Sequence, residues 1–315
     1  MNSIKEQIKA EAERLGFCLC GFTTAEPPED FARYTRWLDE EAAGTMNYLK
    51  REDTLAKRAD PRLLLPDVRS ICVLAVPMGL KKGIGAYEVA SYAHYIDYHE
   101  AILPMAEALV SRIREISEDA DLSYRICIDS APILERSLAV RAGLGWIGKS
   151  SMFVAPRWGS AVFLCEILLS LELPPDEPFP GDRCGACRRC VDACPTGCID
   201  PETRTIRADR CAAYLTIEHK GEFTPEQAAL IGSHLFGCDE CLRACPHNAR
   251  NSGTSPLPPA SAIPTPEDAD LSEAEFKEKF RTSPVLRTKA KGLRRNAEAV
   301  RENITKNEIH PHPAD

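Results

Sequence analysis

The stretch RCGACRRCVDACP (183–195) sets Cys184, Cys187, Cys190 and Cys194 at C-x2-C-x2-C-x3-C-P spacing. A second run, CDECLRACP (238–246), carries Cys238, Cys241 and Cys245, and Cys211 stands alone between the two. Three closely spaced thiolates wrap one iron–sulfur cubane, while the cysteine before proline points away and ligates the other. Eight cysteines then fill two [4Fe-4S] clusters with none left over. Cys184, Cys187, Cys190 and Cys245 are assigned to the first, and Cys194, Cys211, Cys238 and Cys241 to the second. Zinc sites use paired C-x2-C without the trailing x3-C-P, so zinc is the weaker reading. The spacing predicts a bacterial-type, ferredoxin-like domain over 183–250. Two clusters in one small module make an electron wire.

The rest of the chain has to use those electrons. It has 315 residues, 44% hydrophobic and 27% charged, which suits a soluble protein of about two domains. The apolar runs 70–76 and 161–169 are far below the roughly 20 residues of a membrane span. The N-terminus reads as a charged amphipathic helix, opened by Ser3 with Glu6 as a capping box, without a signal core or twin arginine. These features predict a cytoplasmic protein with no membrane partner. In a reducing compartment the clustered thiols among the 14 cysteines read as metal ligands. Cys18, Cys20, Cys72, Cys127 and Cys165 lie in apolar runs and read as core, and Cys198 has no cluster corner left to fill.

Strands over 17–22, 70–76, 123–129 and 161–169 alternate with helices over 4–15, 98–117 and 131–143. This pattern predicts an α/β (α+β) domain over 1–170. The Pro-rich, acidic stretch 171–182 reads as a linker. A Pro/Ser stretch at 251–268 leads into a short basic helical tail within a C-terminal extension, 251–315. The net charge of −8 hides nine Lys or Arg and two Glu between 277 and 301, so an anionic partner is expected there. Arg287, Lys289, Lys291, Arg294 and Arg295 are the candidate phosphate contacts; the alternative is a solvated helix face.

GLGWIGKS (143–150) matches both G-x4-G-K-S and G-x-G-x-x-G. Those patterns need a strand before and a helix after. Here a helix precedes and an extended run follows, so nucleotide binding is not expected. The glycines either let backbone approach a large flat ligand or make a helix-to-strand turn.

RADPRLLLP (58–66), DYH (97–99), IDSAPILERSLAVRAGLGWIGKSS (128–151), the cysteine motif, YLTIEHKG (214–221) and FGCDECLRACPHN (236–248) occur in this order. Over about 1–250 the chain closely resembles the epoxyqueuosine reductase family. The resemblance implies a cytoplasmic, cobalamin-dependent oxidoreductase that converts epoxyqueuosine to queuosine at the wobble position of tRNA, the last step of queuosine biosynthesis. It implies a cobalamin-binding catalytic domain over 1–170, and the two-electron chemistry requires a low-potential donor of ferredoxin or flavodoxin type. It places corrin contacts near Arg58, Asp97, Asp129, Phe153, Val154, Ala155 and Leu164. Residue by residue, Arg58 also reads as a surface ion-pair partner, Asp97 as a helix N-cap, and the apolar positions as core. The stretch SYAHYIDYH (91–99) departs from the family's pattern, and the chain resembles the short form, without helical repeats.

An epoxide oxygen leaves badly without a proton. Asp129, at the end of a predicted strand, is the candidate donor, and the family's donor falls on this position. Its bland reading is a turn residue before the helix. Burial beside a corrin is expected to raise its pKa and keep it protonated. His99 as a cobalt ligand is disfavoured by the resemblance. His219 is expected near the tRNA or the cluster shell. A reductive dehalogenase, which usually carries a twin-arginine signal, and a ferredoxin with an appended domain are the competing readings.

Overall fold

The computed structural model describes residues 3–81, 83, 85–250 and 254–309. The expected linker residues 251–253 and the last residues of the tail, 310–315, lie outside them.

The first domain contains α1 (Ile4–Arg14), β1 (Leu19–Thr23), α2 (Phe31–Asp39), α3 (Glu52–Ala59), β2 (Ser70–Pro77), β3 (Glu88–Val89), α4 (Tyr98–Ser117), β4 (Tyr124–Cys127), α5 (Glu135–Arg141), β5 (Trp146–Ile147), β6 (Phe153–Val154) and β7 (Val162–Leu169). Its sheet runs β1-β2-β7-β4 and every pairing is antiparallel. The alternation of helices and strands therefore resolves to α+β, not to a parallel doubly wound sheet. All eight residues of β2 are buried, because both faces of the sheet are covered. Its even positions Cys72, Leu74 and Val76 pack with Ile8 and Ala12 of α1 and Ile102, Leu109 and Ile113 of α4. Its odd positions Ile71 and Val73 pack with Leu138, Ala139 and Ala142 around α5. This is the period of two that a pleated strand imposes.

The second domain holds α6 (Arg189–Asp192), β8 (Ile199–Asp200), β9 (Thr205–Ile206), α7 (Ala212–Ile217), α8 (Pro225–Leu230), β10 (His234–Phe236) and α9 (Glu240–Arg243). The short helices α6 and α9 carry the third cysteine of the first motif, Cys190, and the second of the second motif, Cys241. The strand β10 pairs in parallel with β3 of the first domain, so one small sheet joins the two.

The C-terminal segment departs from the expected tail. Leu257 is buried, and the backbones of Ile96 and Ala260 bond to Pro258 and His94, which docks the Pro-rich stretch on the first domain. Then α10 (Glu273–Lys279) and α11 (Lys289–Ile309) follow. Phe276, Phe280, Leu293 and Ala297 close a core with Val89, Leu235 and Phe236, while Val300 packs with Tyr214, Leu215 and Ile231. The stretch 171–182 has no regular structure, yet it is strapped down: Asp176 accepts the Phe22 N–H and pairs with Lys5 and Lys9.

Candidate active site

The DYH stretch starts α4. Asp97 caps the helix by accepting the His99 N–H at 3.0 Å, and its carboxylate also holds His99 Nδ1 at 2.7 Å. The ring then presents Nε2 to Asp129 Oδ2 at 3.5 Å. Tyr98 donates its hydroxyl to the same oxygen at 2.8 Å, with its ring stacked on Phe163 at the half-buried start of β7. Asp97 thus serves as the cap, its alternative reading, and does not line the cleft described below.

Asp129 follows β4 in a left-handed backbone conformation, φ +48°. Its N–H is held by Glu135 Oε1 at 2.9 Å. The helix expected from 131 starts only at Glu135; Pro132 and a tight turn from Ile133 to Ala131 keep 129–134 as a loop. That loop is what points Asp129 outward.

The electrostatics correct the expectation for Asp129. Desolvation pushes its carboxyl up, but hydrogen bonds from His99 and Tyr98 outweigh this and hold it below the ordinary carboxylate value. The proton sits on the partner instead: bonds to Asp129 and Asp97 push His99 up to about 9. Glu135 goes the other way, raised to about 7 by burial and then by the Asp129 charge.

A cleft of about 370 Å³ opens between the domains beside Asp129, lined by Tyr34, Arg58, Ile133, Arg136 and Arg204 among others. Arg58 stacks over Tyr34 at 5.4 Å, and its buried Nη1 has no acceptor in the protein. Leu164 is half-buried toward the open end of β7, whereas Phe153, Val154 and Ala155 are buried. The N–H and carbonyl of Ala155 are already exchanged with Gly159. Phe153 and Ala155 pack into the core, Val154 is buried next to them, and the Ala155 N–H is already spent within the protein.

The eight motif cysteines fall into two groups. Cys184, Cys187 and Cys245 are neighbours of Cys190, and Cys194, Cys211 and Cys238 are neighbours of Cys241. Cys198, given no role by its spacing, is wedged against Cys194 at 3.6 Å and bonds to Cys211. The Arg136 guanidinium is within electrostatic reach of Asp129 and of Cys241 in the second group. The first group is at the surface, where Arg183, Gly185, Ala186, Arg188 and Arg189 are exposed.

The glycine-rich stretch supports that first group. Gly143 ends α5 at φ +76°. A Cβ on Gly145 would lie 2.1 Å from the Val154 carbonyl, so the glycine permits close packing of protein backbone rather than of a ligand. Directly after Gly145, Trp146 donates its indole N–H to Cys184 Sγ at 3.4 Å. Lys149 donates to the carbonyls of Gly185 at 2.6 Å and Cys187 at 3.0 Å. Spacing alone carried no signal for this role, nor for Tyr98, Glu135 or Arg136.

The basic positions separate. Arg295 is buried, stacks on Phe223 and donates to the carbonyls of Leu215, His219 and Gly221. It is a structural residue, and its place among the phosphate contacts is withdrawn. Arg294 bonds to the carbonyls of Ala269 and Leu271. Arg287 forms a two-pronged pair with Glu218, and Lys291 pairs with Glu222 at the surface. Lys289 is exposed. His219 stacks on Phe223 and faces the Glu222 carbonyl, next to the Arg295 bonds rather than in the cysteine groups.

Comparison with known proteins agrees with this arrangement. A model of the 4Fe-4S double cluster binding domain matches residues 183–248, and the Epoxyqueuosine reductase QueG model matches 58–130. An epoxyqueuosine reductase of Leadbetterella byssophila is 36% identical over 308 residues, covering 96% of this chain and all of the relative. The solved epoxyqueuosine reductase of Bacillus subtilis, whose catalytic aspartate loop is swung out of its active site, superposes with a TM-score of 0.82 at 27% identity, covering 99% of this chain and 86% of that one. Another, crystallised with an epoxyqueuosine-modified tRNA-Tyr stem loop, gives 0.80 at 28% identity, covering 98% and 83%. The chain belongs to the epoxyqueuosine reductase family.

Proposed function

We propose that this chain reduces epoxyqueuosine to queuosine in the anticodon loop of tRNA. The observation that carries the reading is the Asp97–His99–Asp129 array at the edge of a cleft between the first domain and the one that carries the two cysteine groups. Removing the epoxide oxygen as water consumes two electrons and two protons and leaves a carbon–carbon double bond. The eight motif cysteines hold two [4Fe-4S] clusters, which deliver electrons singly. The exposed first group receives them from a low-potential donor of ferredoxin or flavodoxin type.

The cleft fits cobalamin in kind. Arg58 has a buried N–H without an acceptor, and corrin side chains offer amide oxygens. Arg58 and Asp129, which line the cleft, and the half-buried Leu164 are the residues that would hold the ring. A bound, reduced corrin supplies the electron pair that single-electron clusters cannot. Asp129 Oδ2 lies between the Tyr98 hydroxyl and His99 Nε2, so a proton held on His99 reaches the departing oxygen through the carboxylate. Asp97 keeps the imidazole ring oriented. Tyr98, stacked on Phe163, fixes the carboxylate.

Arg287, Lys289, Lys291 and Arg294 are the exposed candidates for phosphate contacts, Arg294 being already bonded to the carbonyls of Ala269 and Leu271. Among the described residues no helix is long and apolar enough to cross a membrane, and a cytoplasmic site of action suits a tRNA substrate. The test is turnover of an epoxyqueuosine stem-loop by anaerobically reconstituted protein, with and without cobalamin, read by mass spectrometry of the nucleoside. Loss of one oxygen only with cobalamin is the expected result; oxygen loss without it, or none with both clusters and corrin bound, overturns the reading.

A further inference from the structure

Glu166 is the middle of β7, the central strand flanked by β2 and β4, opposite Val73 and Cys127. It is 0% exposed, and neither carboxyl oxygen has a hydrogen-bond partner. A carboxylate cannot stay charged in such a place without a cation or donors. The sheet neighbours offer the Cys127 and Cys165 thiols, whose own ionisation is suppressed by burial. Along β7 its side chain shares a face with Leu164 and Leu168, the face covered by α5. There its charged neighbours are Glu135 and Asp129, both acidic. Glu135 also faces Arg136 and His99.

Glu135 is half-buried and lines the cleft, whereas the Glu166 carboxyl is wholly dry, so the cost of ionising falls on Glu166. Glu166, with no donor, is the neutral member. Glu135 accepts the Asp129 N–H, which favours its charged form. We propose that Glu135 is a positioning residue for Asp129, that Glu166 keeps its own proton inside the sheet, and that the charge left on Glu135 holds the Asp129 loop in place. The inference rests on the reading of Asp129 as proton donor. It explains how a non-glycine residue is kept at φ +48°: a charge-assisted bond fastens its N–H from beneath. Glu135, raised to about 7, is neutralised by a second proton as the pH falls, and the fastening weakens. No proton is lost to substrate in this arrangement; the pair only sets where the Asp129 carboxylate stands.

The decisive measurement is infrared spectroscopy of the resting, cluster-reconstituted protein at about pH 8, above the value of about 7 for Glu135. A carbonyl band of a protonated carboxylic acid is expected, shifted by 13C-glutamate labelling and missing in Glu166→Gln. No labelled band in the wild-type protein, or a band that persists in Glu166→Gln, overturns the proposal. The wild-type spectrum decides even where the variant does not fold, and it needs no substrate. For positioning, Glu135→Gln is expected to lower kcat roughly tenfold, keep KM for the stem-loop and both clusters, and remove the acid limb of kcat near pH 7. An acid limb unchanged in Glu135→Gln also overturns the proposal, whereas failure of Asp129→Asn to lose turnover would instead remove the donor reading beneath it.

Discussion

His99 Nε2 stands 3.5 Å from Asp129 Oδ2, and the opposite nitrogen of the same ring is clasped by Asp97 at 2.7 Å. One imidazole therefore bridges two carboxylates, and the bridge carries the proton.

Asp129→Asn keeps the Tyr98 contact but can neither relay nor hold a proton. Turnover is expected to fall by about 100-fold or more, with iron content and corrin binding retained. Single-turnover assays with spectroscopic counting of the clusters check it; near-wild-type turnover would remove Asp129 from the chemistry.

For His99 the sign follows from its raised pKa, about 9. The folded value lies above the ordinary one near 6.5. Its stabilising contribution is fully present below about pH 6.5 and is lost as pH rises through about 9. Denaturation midpoints of wild type and His99→Gln should thus differ most at pH 6 and converge toward pH 10. Activity should show an alkaline limb near pH 9 that the variant lacks. Parallel stability curves across that range would contradict the bridge.

Cluster assignment is tested by pairs of cysteine variants. Cys184→Ala and Cys245→Ala should each lose roughly half the iron and the same electron paramagnetic resonance signal. Cys211→Ala and Cys241→Ala should lose the other one. A shared signal across the two groups would redraw the ligand sets.

Arg295→Ala should act on stability. The buried guanidinium leaves three carbonyls without their donor, a loss of about 3 kcal/mol, read by chemical denaturation. Charge reversal at Arg287, Lys289 and Lys291 should instead weaken stem-loop binding and flatten its dependence on salt. An unchanged salt slope in the triple variant would move the RNA surface elsewhere.

What could be read from the chain depended on how local the signal was. Cysteine spacing is a local geometric constraint, so the eight thiols fall into two groups along the lines the spacing suggests. The apolar runs of β2 and β7 are equally local. Strand direction is not, because antiparallel pairing of β1, β2, β7 and β4 depends on where connections cross the sheet. The DYH stretch was visible as a motif, but its electrostatics needed Asp129 beside His99, 30 residues away in the chain. Arg295 misled for the same reason: a basic run on a helix reads as solvated, until tertiary packing turns one member inward. Glu166 carried no signal at all, since a single acid inside an apolar run reads as an exposed strand residue.

The position of α11 bears on how the protein is made. Asn296 donates its side-chain amide to the carbonyls of Thr216 and Leu235, in the α7 and β10 segments that precede the second motif. Residues 289–300 are synthesised after every motif cysteine, yet they supply one wall of the cluster-bearing domain. On the ribosome, the thiols emerge into a half-built nest that closes only when this helix arrives. An order of events, and not only a shape, is written into the last helix: the wall of the domain is made after all of its thiols.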